Sequence, residues 1–210
     1  MPRGALITIE GLDGAGKTTL AQALAGELPA RTRGRRVELL REPGGVAASE
    51  RIRELVKDPA LRVDAASEAL LYAAARAQLV AERVQPLLAE RALVLLDRFV
   101  DSSLAYQGAG RELGIERVRA INAFATGGLQ PDRTLLLRID PATGRGRQAS
   151  RAGRKDRIEG ADDAFFARVA AAYEQLARAE PQRFRVLDAA RAPAAVLAEA
   201  LAALADVVGG

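Results

Sequence analysis

Short apolar runs alternate with long stretches of helical periodicity along this chain. Leu6–Glu10, Val37–Leu40, Leu93–Asp97, Thr134–Ile139 and Arg185–Asp188 read as strands. Between them the spacing predicts helices over Lys17–Leu28, Ala47–Val56, Ala65–Glu90, Ile115–Ala125, Ala164–Arg178 and Ala192–Val207. Regular alternation of strand and helix predicts an α/β fold: a parallel sheet of five strands flanked by helices on both faces. Leu93–Leu96 is apolar at every position, the pattern of a strand buried on both sides. One segment, 141–157, is rich in Gly and Arg and lacks apolar periodicity, so it reads as a functional lid or a disordered loop rather than a regular element.

A chain of 210 residues suits one domain, 1–210, with a sizeable core. It contains no Cys and no His, which removes disulfides, thiol chemistry, imidazole catalysis and the usual soft metal ligands. Chemistry must then run on carboxylates, Arg, Lys, hydroxyls and backbone amides. The first apolar run is too short for a signal peptide, and none approaches the roughly 20 residues of a membrane span, so a cytoplasmic protein without a membrane partner is expected. The net charge of +4 decides little, but its arginines gather at 31–36 and 145–157. The first cluster lacks interleaved aromatics and reads as a solvated loop, not a nucleic-acid surface.

The strongest motif is Gly11-Leu12-Asp13-Gly14-Ala15-Gly16-Lys17-Thr18-Thr19, a P-loop placed between a predicted strand and a predicted helix. Its glycines let backbone N–H groups wrap phosphates at the positive end of the helix. Lys17 is expected on the β- and γ-phosphates of a nucleoside triphosphate, and the Thr18 hydroxyl on Mg²⁺. Leu93–Leu96 ends in Asp97-Arg98-Phe99: an acid at a strand's carboxyl end can orient metal or attacking oxygen, and Arg98 can clamp a phosphate. Arg41-Glu42-Pro43-Gly44-Gly45 forms a stiff turn at the same expected edge.

In order, Gly11–Thr19, Arg41–Gly45, Asp97–Gly108 and Asp156–Glu159 resemble the bacterial thymidylate kinases, and Leu70–Arg76 and Phe165–Tyr173 extend the likeness over nearly the whole chain. The resemblance implies a P-loop kinase fold of three layers with an Arg-rich lid. It implies transfer of the ATP γ-phosphoryl group to dTMP with Mg²⁺, in dTTP biosynthesis, by a homodimer. Asp13 would then hold the sugar hydroxyl or the metal side of the acceptor, and Tyr72 would stack on thymine. Arg76 would reach the base or the acceptor phosphate, Arg98 would bind that phosphate, and Asp97 would organise metal and nucleophile. Ser102, Ser103, Tyr106 and Gln107 would line the base and sugar pocket, with Glu42 beside it. Gly14 offers no cation after Asp13, so Arg151 and Arg154 of the lid, with Arg147 behind them, would supply it. Another nucleotide kinase of this fold and a slow P-loop switch are the rival readings; a guanine-reading Asn-Lys-x-Asp is absent from the sequence. Phe165, Phe166, Val169 and Tyr173 recur at helical spacing and read as packing.

Overall fold

The computed structural model describes residues 3–32, 34–149 and 156–209. Five parallel strands run β1 (Ala5–Gly11), β2 (Val37–Arg41), β3 (Leu93–Asp97), β4 (Arg133–Arg138) and β5 (Phe184–Asp188), in the spatial order β2-β3-β1-β4-β5. The chain leaves β1 for β2, returns to β3 beside β1, and then crosses to β4 on the other flank. That reversal opens a crevice at the carboxyl ends of β1 and β3, where sheets of this kind bind ligands.

Side-chain alternation along the strands builds the layers. Ile7, Ile9, Leu93 and Leu95 share a buried cluster with Leu20 and Leu24 of α1 (Lys17–Glu27). Leu6, Val94 and Leu96 point the other way, toward Leu79, Val80 and Leu87. The helices on these faces include α2 (Ala47–Lys57), α3 (Ala65–Leu79), α4 (Gln85–Ala89), α5 (Val100–Ser103) and α6 (Ile115–Thr126), followed by α7 (Pro141–Ala149), α8 (Asp163–Ala179), α9 (Pro193–Ala203) and α10 (Ala205–Val208).

Three elements differ from the sequence expectation. The single helix expected over Ala65–Glu90 is helical throughout but contains a π turn, Val80–Val84, where the Gln85 N–H reaches the Val80 carbonyl. Pro86 explains it, because a proline has no N–H to continue the ladder and its ring displaces the carbonyl four residues back. The segment Val100–Gly110, left unassigned by periodicity, is α5 running into a π-helical stretch, Leu104–Gly110. Nearly all of it is buried, so no polar face marks a period.

The first half of the 141–157 segment is a helix, α7, not an irregular loop. Asp140 starts it, its Oδ1 accepting from the N–H groups of Ala142 and Thr143 at 3.0 and 3.1 Å, with Pro141 at the first helical position. Its one buried residue is Gly144. A helix that packs through a glycine shows no apolar stripe in its sequence.

Leu95 lies at the centre of the sheet with no exposed surface. Leu95→Ala is expected to lower unfolding free energy by about 2–5 kcal/mol, read as a reduced urea midpoint with an unchanged slope.

Candidate active site

A cleft of about 650 Å³ opens above the carboxyl ends of β1, β2 and β3. At one end it is lined by the P-loop residues Asp13, Gly14, Gly16, Lys17 and Thr18, at the other by Tyr72, Ser103 and Gln107, with Arg98 between. Gly14 and Gly16 take the left-handed region (φ 82° and 92°), which bends the loop back over the start of α1. Gly14 is also forced by space: a Cβ there would stand 2.1 Å from the Gly144 carbonyl oxygen. Helix α7 therefore rests backbone to backbone on the P-loop.

Lys17 is buried, and its Nζ donates to the Leu12 carbonyl at 2.8 Å and lies 3.7 Å from Asp13. Burial and the neighbouring Arg98 pull its ammonium down to about 8. Thr18 Oγ1 donates to Asp97 Oδ2 at 2.8 Å, bringing together the two expected metal-side groups. Hydroxyl and carboxylate oxygens suit a hard cation such as Mg²⁺. Among the described residues no group of three or more His, Cys, Asp or Glu side chains could hold a metal ion.

Arg98 is the hub. Its N–H donates to the Ile9 carbonyl, continuing the β3–β1 ladder, and its own φ of 71° then turns the chain away. The guanidinium donates to Asp13 Oδ1 at 2.6 Å, to the Tyr106 hydroxyl at 3.2 Å and to Ser102 Oγ at 3.0 Å. Tyr106 in turn donates to Asp13 Oδ2 at 3.0 Å. Burial alone would raise the Asp13 carboxyl, but the Arg98 and Lys17 cations outweigh it and hold that carboxyl well below the ordinary range. Asp13, Arg98, Ser102 and Tyr106, named separately from sequence, thus form one hydrogen-bonded group.

Arg76 lies deeper. It is 2% exposed, and it donates to Glu42 Oε2 (2.7 Å), Ser103 Oγ (2.9 Å), the Phe99 carbonyl (2.9 Å) and Asn122 Oδ1. With four of its five N–H groups engaged, it forms part of the cleft's wall. Glu42 is nearly as buried, and burial, only partly offset by Arg76, lifts its carboxyl to about 7. Its second oxygen has no hydrogen-bond partner. Tyr72 lines the cleft half-buried, its hydroxyl pushed upward by burial and by Glu68. Arg151 and Arg154 lie outside the described residues; Arg147 donates to the Ala189 carbonyl at 2.9 Å.

Several functional-looking residues escaped the sequence reading. Glu68, fully buried, accepts from Gln107 Nε2 at 2.8 Å and pairs with Arg111 at 3.2 Å and Arg157 at 2.6 Å. It sits in the first turn of α3, where an acid reads only as helix-start preference. Lys57 pairs with Asp156 at 2.7 Å, tying the far end of the 141–157 segment to α2. Tyr173 packs as expected, but its hydroxyl also donates to Glu10 Oε2 at 2.9 Å. Glu10 had a visible signal: it is the one charged residue of β1, whose other members are apolar, Thr or Gly.

A family model described as "Thymidylate kinase" matches residues 9–200. The chain is 50% identical over 206 residues to the thymidylate kinase of Deinococcus radiodurans, covering 98% of each. It is 44% identical over 211 residues to that of Halorhodospira halophila, covering 99% of this chain and 98% of the relative. The crystal structure of thymidylate kinase from Ehrlichia chaffeensis superposes with a TM-score of 0.79 at 29% identity, over 97% of this chain and 99% of the other.

The raised Glu42 carboxyl has a stability signature. A proton bound more tightly in the folded than in the unfolded state contributes stability that is complete below about 4.5 and is lost as pH rises through about 7. Urea unfolding of ligand-free protein should show this decline between pH 4.5 and 7, and Glu42→Gln should make it shallower, leaving the part that Glu10 contributes.

Proposed function

The chain belongs to the thymidylate kinase family and transfers the γ-phosphoryl group of ATP to dTMP, giving dTDP and ADP; we propose that the cleft above β1 and β3 is where the two nucleotides meet. The observation that carries this reading is the continuity of that cleft, with a phosphate-wrapping loop at one end and Tyr72, Ser103 and Gln107 at the other. ATP places its phosphates in the loop Gly11–Thr19, against Lys17 and the start of α1. The base of dTMP lies on Tyr72 near Gln107 and Ser103, its sugar near Asp13 and Tyr106, and its phosphate against Arg98.

The acceptor is itself a phosphate, largely ionised near neutral pH, so no strong general base is needed and the absence of histidine is no obstacle. Catalysis is positioning and charge neutralisation. Lys17, drawn down to about 8 by burial, is still mostly charged near neutral pH and can pair with phosphate oxygens. Thr18 and Asp97 would hold Mg²⁺, which supplies neutralisation of the donor phosphates when bound. By the family's pattern, Arg151 and Arg154 would supply the further positive charge that Gly14 does not.

The assembly we propose is a homodimer within the cytoplasm, the chain acting as one domain. Among the described residues no helix is long and apolar enough to cross a membrane. Phe124 on α6 is 92% exposed and Leu70 on α3 56% exposed, on helices that pack side by side, with Leu55 of α2 also exposed. Large apolar groups exposed on neighbouring helices suit a second copy of the same chain.

A coupled ADP-release assay tests the activity. Turnover with dTMP, little with dGMP or dAMP and none with thymidine is expected. Release that ignores every acceptor would replace this reading with an ATPase or switch. In the same assay Lys17→Ala should lose most of kcat, and Arg98→Ala should raise the KM for dTMP far more than that for ATP. For the assembly, Phe124→Glu should shift sedimentation from dimer to monomer; an unchanged species would remove this face from the interface.

A further inference from the structure

Glu10 is buried completely in β1, one residue before the P-loop begins, and it belongs to none of the phosphate-, metal- or base-facing groups described above. Its Oε1 accepts the Phe99 N–H at 2.7 Å, and its Oε2 accepts from Ser102 Oγ at 2.6 Å and from the Tyr173 hydroxyl at 2.9 Å. Those three groups surround Arg98. Phe99 is the next residue, and Ser102 and Tyr173 each accept from Arg98 Nη1, at 3.0 and 3.5 Å.

Proton direction links the two sides. A hydroxyl carries one proton, and a carboxylate can only accept. While Ser102 and Tyr173 donate to Glu10, their lone pairs are left toward Arg98, which can only donate. Glu10 also anchors the backbone where it leaves the left-handed Arg98. Below it, Asp101 of α5 is locked by Arg183, at 2.6 and 3.0 Å, so the turn cannot slide along the sheet.

We infer that Glu10 is the positioning residue for Arg98: it sets the polarity of the Ser102 and Tyr173 hydroxyls and fixes the turn, so that the guanidinium faces Asp13 and the acceptor phosphate. The inference rests on the acceptor-side role proposed for Arg98. Glu10 is faced by Asp101 from α5, Arg98 from the turn after β3, Lys17 from α1 and Tyr173 from α8. Burial, reinforced by Asp101, raises its carboxyl to about 7. A protonated Glu10 donates at one oxygen and so disturbs the hydroxyl polarity.

The test is steady-state kinetics of Glu10→Gln against the wild type, with each substrate varied across pH 5.5–8.5. Expected is about a tenfold rise in KM for dTMP, as when a charged hydrogen-bond network loses its register, with KM for ATP within about twofold. The variant should keep only the pH dependence of the acceptor phosphate and lose the added rise in dTMP KM that the wild type shows below about pH 7. A lowered Tm with both KM values unchanged would mean a structural role only, and would overturn the inference. If Glu10→Gln does not fold, Tyr173→Phe decides: it keeps the ring and removes one hydroxyl. About a threefold rise in dTMP KM is then expected, and no change overturns the inference. A wild type that does not phosphorylate dTMP overturns the proposed function and this inference together, whereas an active wild type with unaffected variants overturns this inference alone.

Discussion

Everything in the cleft depends on one short ion pair, Arg98 to Asp13 at 2.6 Å, which joins the loop after β1 to the turn after β3. The two residues come from strands that are neighbours only because the chain reverses direction across β1. Sheet register brings Ile9 level with Asp97, so the next residues on each strand emerge side by side. The P-loop and Arg98 therefore share one edge without any long connection. The pair is partly buried, where charges interact more strongly than in water, and Lys17 joins it from the start of α1.

Around this pair the protein buries further charges, each with a counter-charge. Arg76 meets Glu42, Arg183 meets Asp101, and Glu68 meets both Arg111 and Arg157. Such pairs add little net stability compared with apolar replacements of the same shape, yet removing one partner is costly because it leaves a bare charge behind. Their effect is geometric. Arg76 braces Phe99 and Ser103, Arg183 braces α5, and Glu68 holds the amide nitrogen of Gln107. A site meant to hold two polyanions needs cations that stay put when no ligand neutralises them, and buried acids keep them in place.

Much of this was legible in the residues. The five strands and most helices follow from apolar periodicity, because each strand lies between two helical layers and each long helix has one buried side. The P-loop, Asp97, Arg98 and the Ser102–Gln107 stretch carry signals in residue type and order. What stayed hidden depends on contacts distant in sequence. Glu68 meets Arg157 from far along the chain, and nothing local announces it. Arg76 could be placed on the right helical face, but not at its true depth, since depth is set by Glu42 and Asn122 arriving from elsewhere. The Val80–Val84 π turn and the helical Leu104–Gly110 stretch escaped for opposite reasons: one breaks a period, and the other is buried all round and has none.

The contact between Gly14 and Gly144 has an architectural corollary. With a carbonyl oxygen 2.1 Å from where a side chain would begin, position 14 and helix α7 compete for one volume. Any side chain at position 14 and a helix α7 seated as it is here are mutually exclusive. The P-loop and α7 thus fit as one unit: transplanting either into another scaffold without its mate would leave a collision or an unfilled gap.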